Sequence, residues 1–336
     1  MAINWEILGK RGEDNALLVT VDTGQSQETL LFDCGEACLS DVRISALQSI
    51  EHLFFSHFHM DHVSGFDTFF RHNYNRPNGS VHVWGPPGTI DVIGHRFQGF
   101  SWNLHHDQPG EWLVHELSET ELAKSRFLTR EAFAKNEALP PQARESNRPD
   151  LTSKSFTLKS ILLPHGDISS VGYLLKESER KNIDRAALQS IGLRPGEWLQ
   201  TLTDETIGDH IKLTVDDRDF DLGQLRKDLL KTRDGESLAY LTDFRVERGS
   251  AKWNELVKWL KGTGTLVCEC QYRNTDQILA ERNGHMTTGL VGQLAKEAGV
   301  QELILQHLSR RYDEVEWTEM LTEVQEEFPR ASLPAN

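Results

Sequence analysis

Apolar positions come in short runs through the first third of the chain, and a turn closes each run. Ile3–Leu8, Ala16–Val21, Thr29–Phe32, His52–Phe55 and Val81–Trp84 have the length and the β-branched or aromatic content that predict strands. Pro86-Pro87-Gly88 breaks the chain ahead of a helix predicted near Ile90–Phe97. From Ser118 to Asn136 the spacing of Leu122, Phe127 and Phe133 along a charged segment reads as helical, and a loop is expected from Leu139 to Pro149. Strand runs return at Phe156–Leu163 and Val171–Leu175, after which Glu177 to Gly235 turns charged and polar and reads as an inserted arm. Leu238–Thr242, Thr265–Cys268 and Leu303–Leu305 are the last predicted strands. Helices expected near Ala251–Leu260, Thr288–Ala298 and Glu314–Glu327 are interleaved with them. There is no internal repeat. Strand-rich halves with helices folded outside predict a layered α/β sandwich.

Composition narrows this picture only a little. With 38% hydrophobic and 26% charged residues the chain is globular in balance. No apolar run approaches the roughly 18 residues that span a bilayer. The opening Met-Ala-Ile-Asn-Trp-Glu lacks the basic-then-apolar order of a secretory leader. Cys34, Cys38, Cys268 and Cys270 are too few for a disulfide framework, and their spacing does not call for a structural zinc. A cytoplasmic protein with no membrane partner is expected. The net charge of −15 argues against a nucleic-acid partner, although bound divalent metals reverse the sign where it matters.

The chemistry is concentrated in Ser56-His57-Phe58-His59-Met60-Asp61-His62, directly after the apolar run His52–Phe55. Imidazole nitrogens and carboxylate oxygens are ligands a zinc-like ion prefers, and four in six residues are too many for one tetrahedral ion with an open site. Sharing resolves this: His57 and His59 for one metal, Asp61 and His62 for a second a few Å away. More ligands must come from distant segments. His165, Asp243 and His307 each close an apolar strand run, where a buried histidine of the core would instead lie within one.

The order His57-x-His59-x-Asp61-His62, His165, Asp243, His307 is similar to the metallo-β-lactamase superfamily pattern. Within it, Phe32-Asp33-Cys34-Gly35-Glu36 resembles a segment of ribonuclease Z, the tRNA 3′-processing endonuclease. Leu162-Leu163-Pro164-His165 with Gly172-Tyr173, Gly284-His285-Met286-Thr287-Thr288 and His307-Leu308-Ser309-Arg310-Arg311-Tyr312 resemble three more of its segments. The likeness runs from about Leu31 to Phe328, interrupted near residues 99–149. It implies a four-layer αββα sandwich over residues 1–336, with an arm inserted at about 177–235 and a further insertion at about 99–149. It also implies two Zn2+ ions, with Mn2+ or Fe2+ as alternatives: one on His57, His59 and His165, the other on Asp61, His62 and His307, with Asp243 bridging. Asp61, His285 and Glu269 would form the catalytic set, with His285 and Glu269 handling the proton of the leaving oxygen. A helix start at Thr287/Thr288 would disfavour the imidazolium and Glu269 would favour it. Arg311 would steady a phosphate.

The chain departs from that pattern in places. Leu8-Gly9-Lys10-Arg11 replaces Leu-Gly-Thr-Gly, Cys268-Glu269-Cys270-Gln271 replaces His-Glu-Ala-Thr, and Thr242-Asp243-Phe244 replaces Gly-Asp-Thr. The arm keeps half of a Gly-Pro tip in Gly192 to Glu197, and its lysines and arginines, Arg226 and Lys231 among them, are offset by acids. The function the resemblance implies is a zinc-dependent phosphodiesterase removing the 3′ trailer of precursor tRNA; the alternatives are a small-molecule phosphodiesterase for cyclic nucleotides or cyclic phosphates on the same site and, more remotely, a non-catalytic metal-stabilised binding module. A homodimer is carried as an expectation.

Overall fold

The computed structural model describes residues 3–24, 26–145, 148–204 and 206–334. The first sheet runs in sequence order: β1 (Ile3–Leu8), β2 (Ala16–Asp22), β3 (Gln27–Phe32), β4 (Ile50–Phe54), β5 (Val81–Gly85), β6 (Glu111–Leu117), β7 (Glu121–Leu128) and β8 (Glu137–Ala143). Strands β3 to β6 are parallel, which brings their C-terminal ends to one edge. Between them run α1 (Ile44–Ser49), α2 (Met60–Val63), α3 (Phe66–Asn73) and α4 (Thr89–Phe97).

The second sheet begins with β9 (Leu151–Thr152), β10 (Phe156–His165) and β11 (Ile168–Glu177). The chain then forms a separate compact unit, residues 177–235, with β12 (Arg180–Ile183), α5 (Arg185–Ser190), α6 (Trp198–Thr203), β13 (Lys212–Val215), β14 (Arg218–Asp221), α7 (Leu222–Leu229) and β15 (Leu230–Arg233). Its strands pair as β12 with β15 and β13 with β14. Back in the main unit come β16 (Ser237–Leu241), α8 (Ala251–Trp259), β17 (Thr265–Glu269), α9 (Gln277–Asn283), α10 (Thr288–Ala298), β18 (Glu302–Gln306), α11 (Glu314–Glu327) and β19 (Ala331–Ser332). The second sheet is ordered β19-β18-β17-β16-β11-β10-β9, with β16, β17 and β18 parallel.

Alternation along each strand supplies three cores and hence four layers. Phe32, Phe54 and Trp84 of the first sheet meet Phe156, Tyr173, Tyr240 and Val267 of the second between the sheets. Leu53, Val83 and Val114 face outward onto Phe66, Phe69, Ile93 and Phe97 of α3 and α4. Leu266, Cys268 and Leu303 face outward onto Trp253, Val291, Leu294, Met320 and Val324 of α8, α10 and α11. Burying each large apolar side chain of this kind contributes about 1.5–3 kcal/mol. This is the expected αββα sandwich.

Two expectations fail. Ser118 to Asn136 is not a helix: β6 and β7 form a hairpin, closed by Ser118 N donating to Glu121 O at 2.9 Å, and a 3-10 turn follows at Thr129–Glu131. Leu122, Ser125 and Phe127 are buried while Glu121 is exposed, so pairing with β6 overrode the helical spacing. The loop expected from Leu139 is strand β8 as far as Ala143. As the last strand of its sheet it tolerates Pro140 and Pro141, whose missing N–H groups an edge does not need.

Candidate metal centre

The site grows from strand ends. After β4 the chain stays pinned to its neighbours, with Phe55 N donating to Trp84 O at 2.7 Å and Val171 N to Ser56 O at 2.8 Å. His59 then caps the single turn of α2, from which Asp61 and His62 project. That turn is clasped by the segment after β3: Cys34 N donates to His62 O and Gly65 N to Cys34 O, both at 2.8 Å. The clasp needs glycine at Gly35, where an added Cβ would lie 2.6 Å from the Asp61 carbonyl oxygen. From the second sheet come His165, the last residue of β10, and Asp243 and His307, just past β16 and β18. Asp243 and His307 both leave their strands in the left-handed region, at φ 51°. For a histidine this is strained backbone of the kind found where a side chain must be aimed.

All seven expected ligands converge. Ligand atoms of His57, His59 and His165 lie within 4.8 Å of one another, as do those of Asp61, His62 and His307. Asp243 stands between the two groups. Its Oδ1 is 4.0 Å from His57 Nε2 and 3.9 Å from His165 Nε2, while its Oδ2 is 3.1 Å from His62 Nε2 and 3.5 Å from His307 Nε2. Burial and the neighbouring His62 hold the His57 pKa down at about 2, so its ring is neutral. Burial opposes ionisation of Asp243, yet His307 and His62 keep its carboxyl well below the usual range. Burial would lower the His62 pKa, but Asp243 and Asp33 on either side of it push it well above the usual range, so without metal the cluster holds a proton there that a divalent cation would displace.

The remaining ring nitrogens fix the tautomers. His62 Nδ1–H donates to Asp33 Oδ2 at 2.8 Å, and His165 Nδ1–H to the Gly284 carbonyl at 3.0 Å. His57 Nδ1 lies 3.0 Å from Ser56 Oγ, which itself donates to Asp33, so it too is a donor. Each Nε2 is therefore the ring nitrogen turned towards the centre. His57 Nε2 and His62 Nε2 are buried there with no well-directed hydrogen bond, a cost that a cation would remove. The residues present fit a metal pair.

Glu269 and His285 sit against this cluster. Glu269 is fully buried, accepting from Phe244 N at 2.6 Å and from His285 Nδ1 at 3.1 Å. Burial alone would lower the His285 pKa, but the Glu269 charge and hydrogen bond outweigh it and raise it to about 9. The Glu269 carboxylate thus outweighs burial and favours the protonated ring. Arg311 is exposed on the loop after β18, outside these groups.

With this geometry in hand, comparison with known proteins is informative. No family model matches the chain. A ribonuclease Z from Deinococcus radiodurans is 40% identical over 327 residues, which cover 97% of this chain and 96% of the relative. The chain belongs to the ribonuclease Z family. It is accordingly a metal-dependent hydrolase of the endoribonuclease class. Two solved structures agree in fold. Human tRNase Z, short form, aligns with a TM-score of 0.53 at 15% identity, covering 100% of this chain and 97% of its own. The metallo-β-lactamase fold protein YhfI from Bacillus subtilis aligns at 0.54 and 16%, covering 99% and 96%.

Two residues of this ribonuclease Z family site escaped the sequence reading. Asp33 is buried between the sheets and accepts from Ser56 N, Ser56 Oγ, His62 and Tyr240 Oη. It lay inside a quoted motif, yet only the structure shows that it orients His62. Arg245, two residues past Asp243, donates from Nη1 to the His285 carbonyl at 3.2 Å, and its backbone N donates to Pro164 O at 2.9 Å. It ties together the loops bearing Asp243, His165 and His285. A cation so close to a ligand was the signal available.

Proposed function

We propose that this enzyme cuts precursor tRNA to release its 3′ trailer, with two zinc ions held by His57, His59 and His165 and by Asp61, His62 and His307 under a shared Asp243. The observation that carries the reading is the division of the Asp243 carboxylate, one oxygen towards each imidazole group, in a chain so similar to a ribonuclease Z along its whole length. Bound there, the metal pair would lower the pKa of water to make the nucleophile and would steady charge on the phosphate oxygens. The chain supplies the rest. Asp33, Ser56 and Gly284 hold the ligand rings with Nε2 turned towards the centre. His285, kept protonated by Glu269, gives its proton to the leaving oxygen. Asp61, 41% exposed on its side chain, and the exposed His59 are the ligands open to solvent and to an arriving phosphate. Residues 177–235 are read as the segment that grips the RNA.

The test offers zinc-loaded protein a precursor tRNA and bis-p-nitrophenyl phosphate side by side. Release of one discrete 3′ fragment supports the proposal, and intact tRNA defeats it. The net charge of −15 favours one other reading, a small-molecule phosphodiesterase, which hydrolysis of cyclic phosphates without tRNA cleavage would establish. Elemental analysis of protein purified without chelator separates zinc from manganese or iron.

A further inference from the structure

Lys10 and Arg11 stand where the ribonuclease Z pattern has threonine and glycine, and nothing in the chemistry above uses them. Both line a cavity of about 550 Å3 whose wall also includes Gln306, His307 and Trp317. Because His307 belongs to the Asp61 and His62 group, this cavity adjoins the metal centre.

The turn that carries Lys10 is held tightly. Gly9 has φ +90°, and a Cβ there would lie 2.2 Å from the Asp14 carbonyl oxygen. Gly12 has φ +71°, and a Cβ there would lie 2.7 Å from the Trp317 ring. The Lys10 carbonyl accepts from Glu13 N at 3.1 Å and from Asn15 Nδ2 at 3.2 Å. Its backbone is therefore fixed while its side chain is exposed, with no ion pair among the described residues. Arg11 donates to the Pro334 carbonyl and likewise has no ion pair among the described residues.

Three acids share the lining. Asp313 is occupied in capping α11, accepting from Val315 N and Glu316 N at 2.9 Å each. Glu13 and Glu314 are exposed, where solvent and salt screen them.

We propose that Lys10 and this cavity form an RNA subsite that binds a backbone phosphate of the single strand next to the scissile one. This rests on the RNA-cleaving reading above. It places a positive charge without an ion pair beside the cut, in a chain whose arm holds Arg226 on Asp209 and Lys231 on Asp184. A contact of this type releases counterion when it forms, so its signature lies in the salt dependence.

The experiment measures kcat/KM for precursor tRNA at subsaturating substrate across a salt series, in the zinc-loaded wild type and in Lys10→Ala and Lys10→Arg. Bis-p-nitrophenyl phosphate hydrolysis by each protein is the reference by which the RNA values are divided. Binding of the same RNA to each protein without metal gives a readout independent of turnover. The expected result is a log–log salt slope shallower by about 0.7 for Lys10→Ala, the value for one single-strand phosphate contact, and restored by Lys10→Arg. An unchanged slope, or a loss shared in proportion by RNA and the small ester, overturns the subsite. Failure of the wild type to cleave tRNA defeats the parent reading and the subsite together, whereas cleavage with an unchanged Lys10→Ala slope removes the subsite alone.

Discussion

The main unit, residues 1–176 with 236–336, and the smaller unit, residues 177–235, are built on different principles. The main unit has two sheets, three apolar cores and a buried polar network joining Asp33, Ser56, His62 and Tyr240. The smaller unit has one core, made by Leu188, Leu193, Leu202, Val215, Leu222, Leu225 and Leu229 on short elements. Its internal tie is Arg226, which donates to the carbonyls of Leu202 at 3.0 Å and Ile207 at 2.8 Å and pairs with Asp209 at 2.6 Å. The contrast teaches where each can afford polarity. A large body can bury ligands at a cost met by its cores, whereas a small one uses a cation to close its own loops and has little core to spare. It also changes the meaning of the arm's charge, because Arg226 is not available to an RNA phosphate.

The largest effect should come from the centre of the main unit. Asp243→Asn removes the carboxylate shared by both ligand groups, so turnover should fall to background and metal content should drop, with the circular dichroism spectrum retained. Full metal content in an inactive, folded variant would detach Asp243 from the metals. His285→Ala comes next: it should keep the metal and slow tRNA cleavage by roughly 10²–10⁴-fold, the range for losing a positioned acid or base. Nitrophenyl esters need no proton on the leaving group and should suffer much less. Equal loss on both substrates would take His285 out of proton transfer.

A cut in the smaller core sharpens the comparison from the other side. Leu222→Ala, at a fully buried position, should cost roughly 2–5 kcal/mol. That is enough to make residues 177–235 a target for limited proteolysis, while metal content and nitrophenyl ester hydrolysis persist. Loss of both with the arm would show that the main unit depends on it. Cleavage of tRNA should fall, since remote binding lowers the barrier only for a substrate that reaches it.

The smallest effect concerns acid. His52, His82 and His115 stack across β4, β5 and β6, with Trp84 donating to His52 at 3.1 Å and lying 3.7 Å from the His115 ring. Burial first, then each other and the nearby Arg76 and Lys124, lower their pKa, to about 3 for His52 and about 4 for His82; Glu111 opposes this at His82. Neutral in the fold and basic at 6.5 in the unfolded chain, these groups give stability that is complete above pH 6.5 and lost as pH falls towards 4. Melting temperature should therefore decline between those limits. The smaller unit, which contains none of these three histidines, should not share this sensitivity. A flat profile from pH 7 to 4.5 would contradict the stack's neutrality.

By itself the sequence indicated strands β1 to β5, β10, β11 and β16 to β18 and the seven candidate ligands in their order, while the pairing of Glu269 with His285 came from the family resemblance. It could do so because alternation and ligand chemistry are local, and because a motif at a strand end keeps its meaning whatever surrounds it. Tertiary structure alone decided the rest. Residues 118–136 became a hairpin because β6 offered hydrogen bonds that helical spacing could not match. Asp33 and Arg245 acquired their roles only when chain segments far apart met, and Asp243 could be seen to divide its oxygens only once both sheets had brought their strand ends together. Such roles depend on distances between elements remote in sequence, which no local pattern encodes.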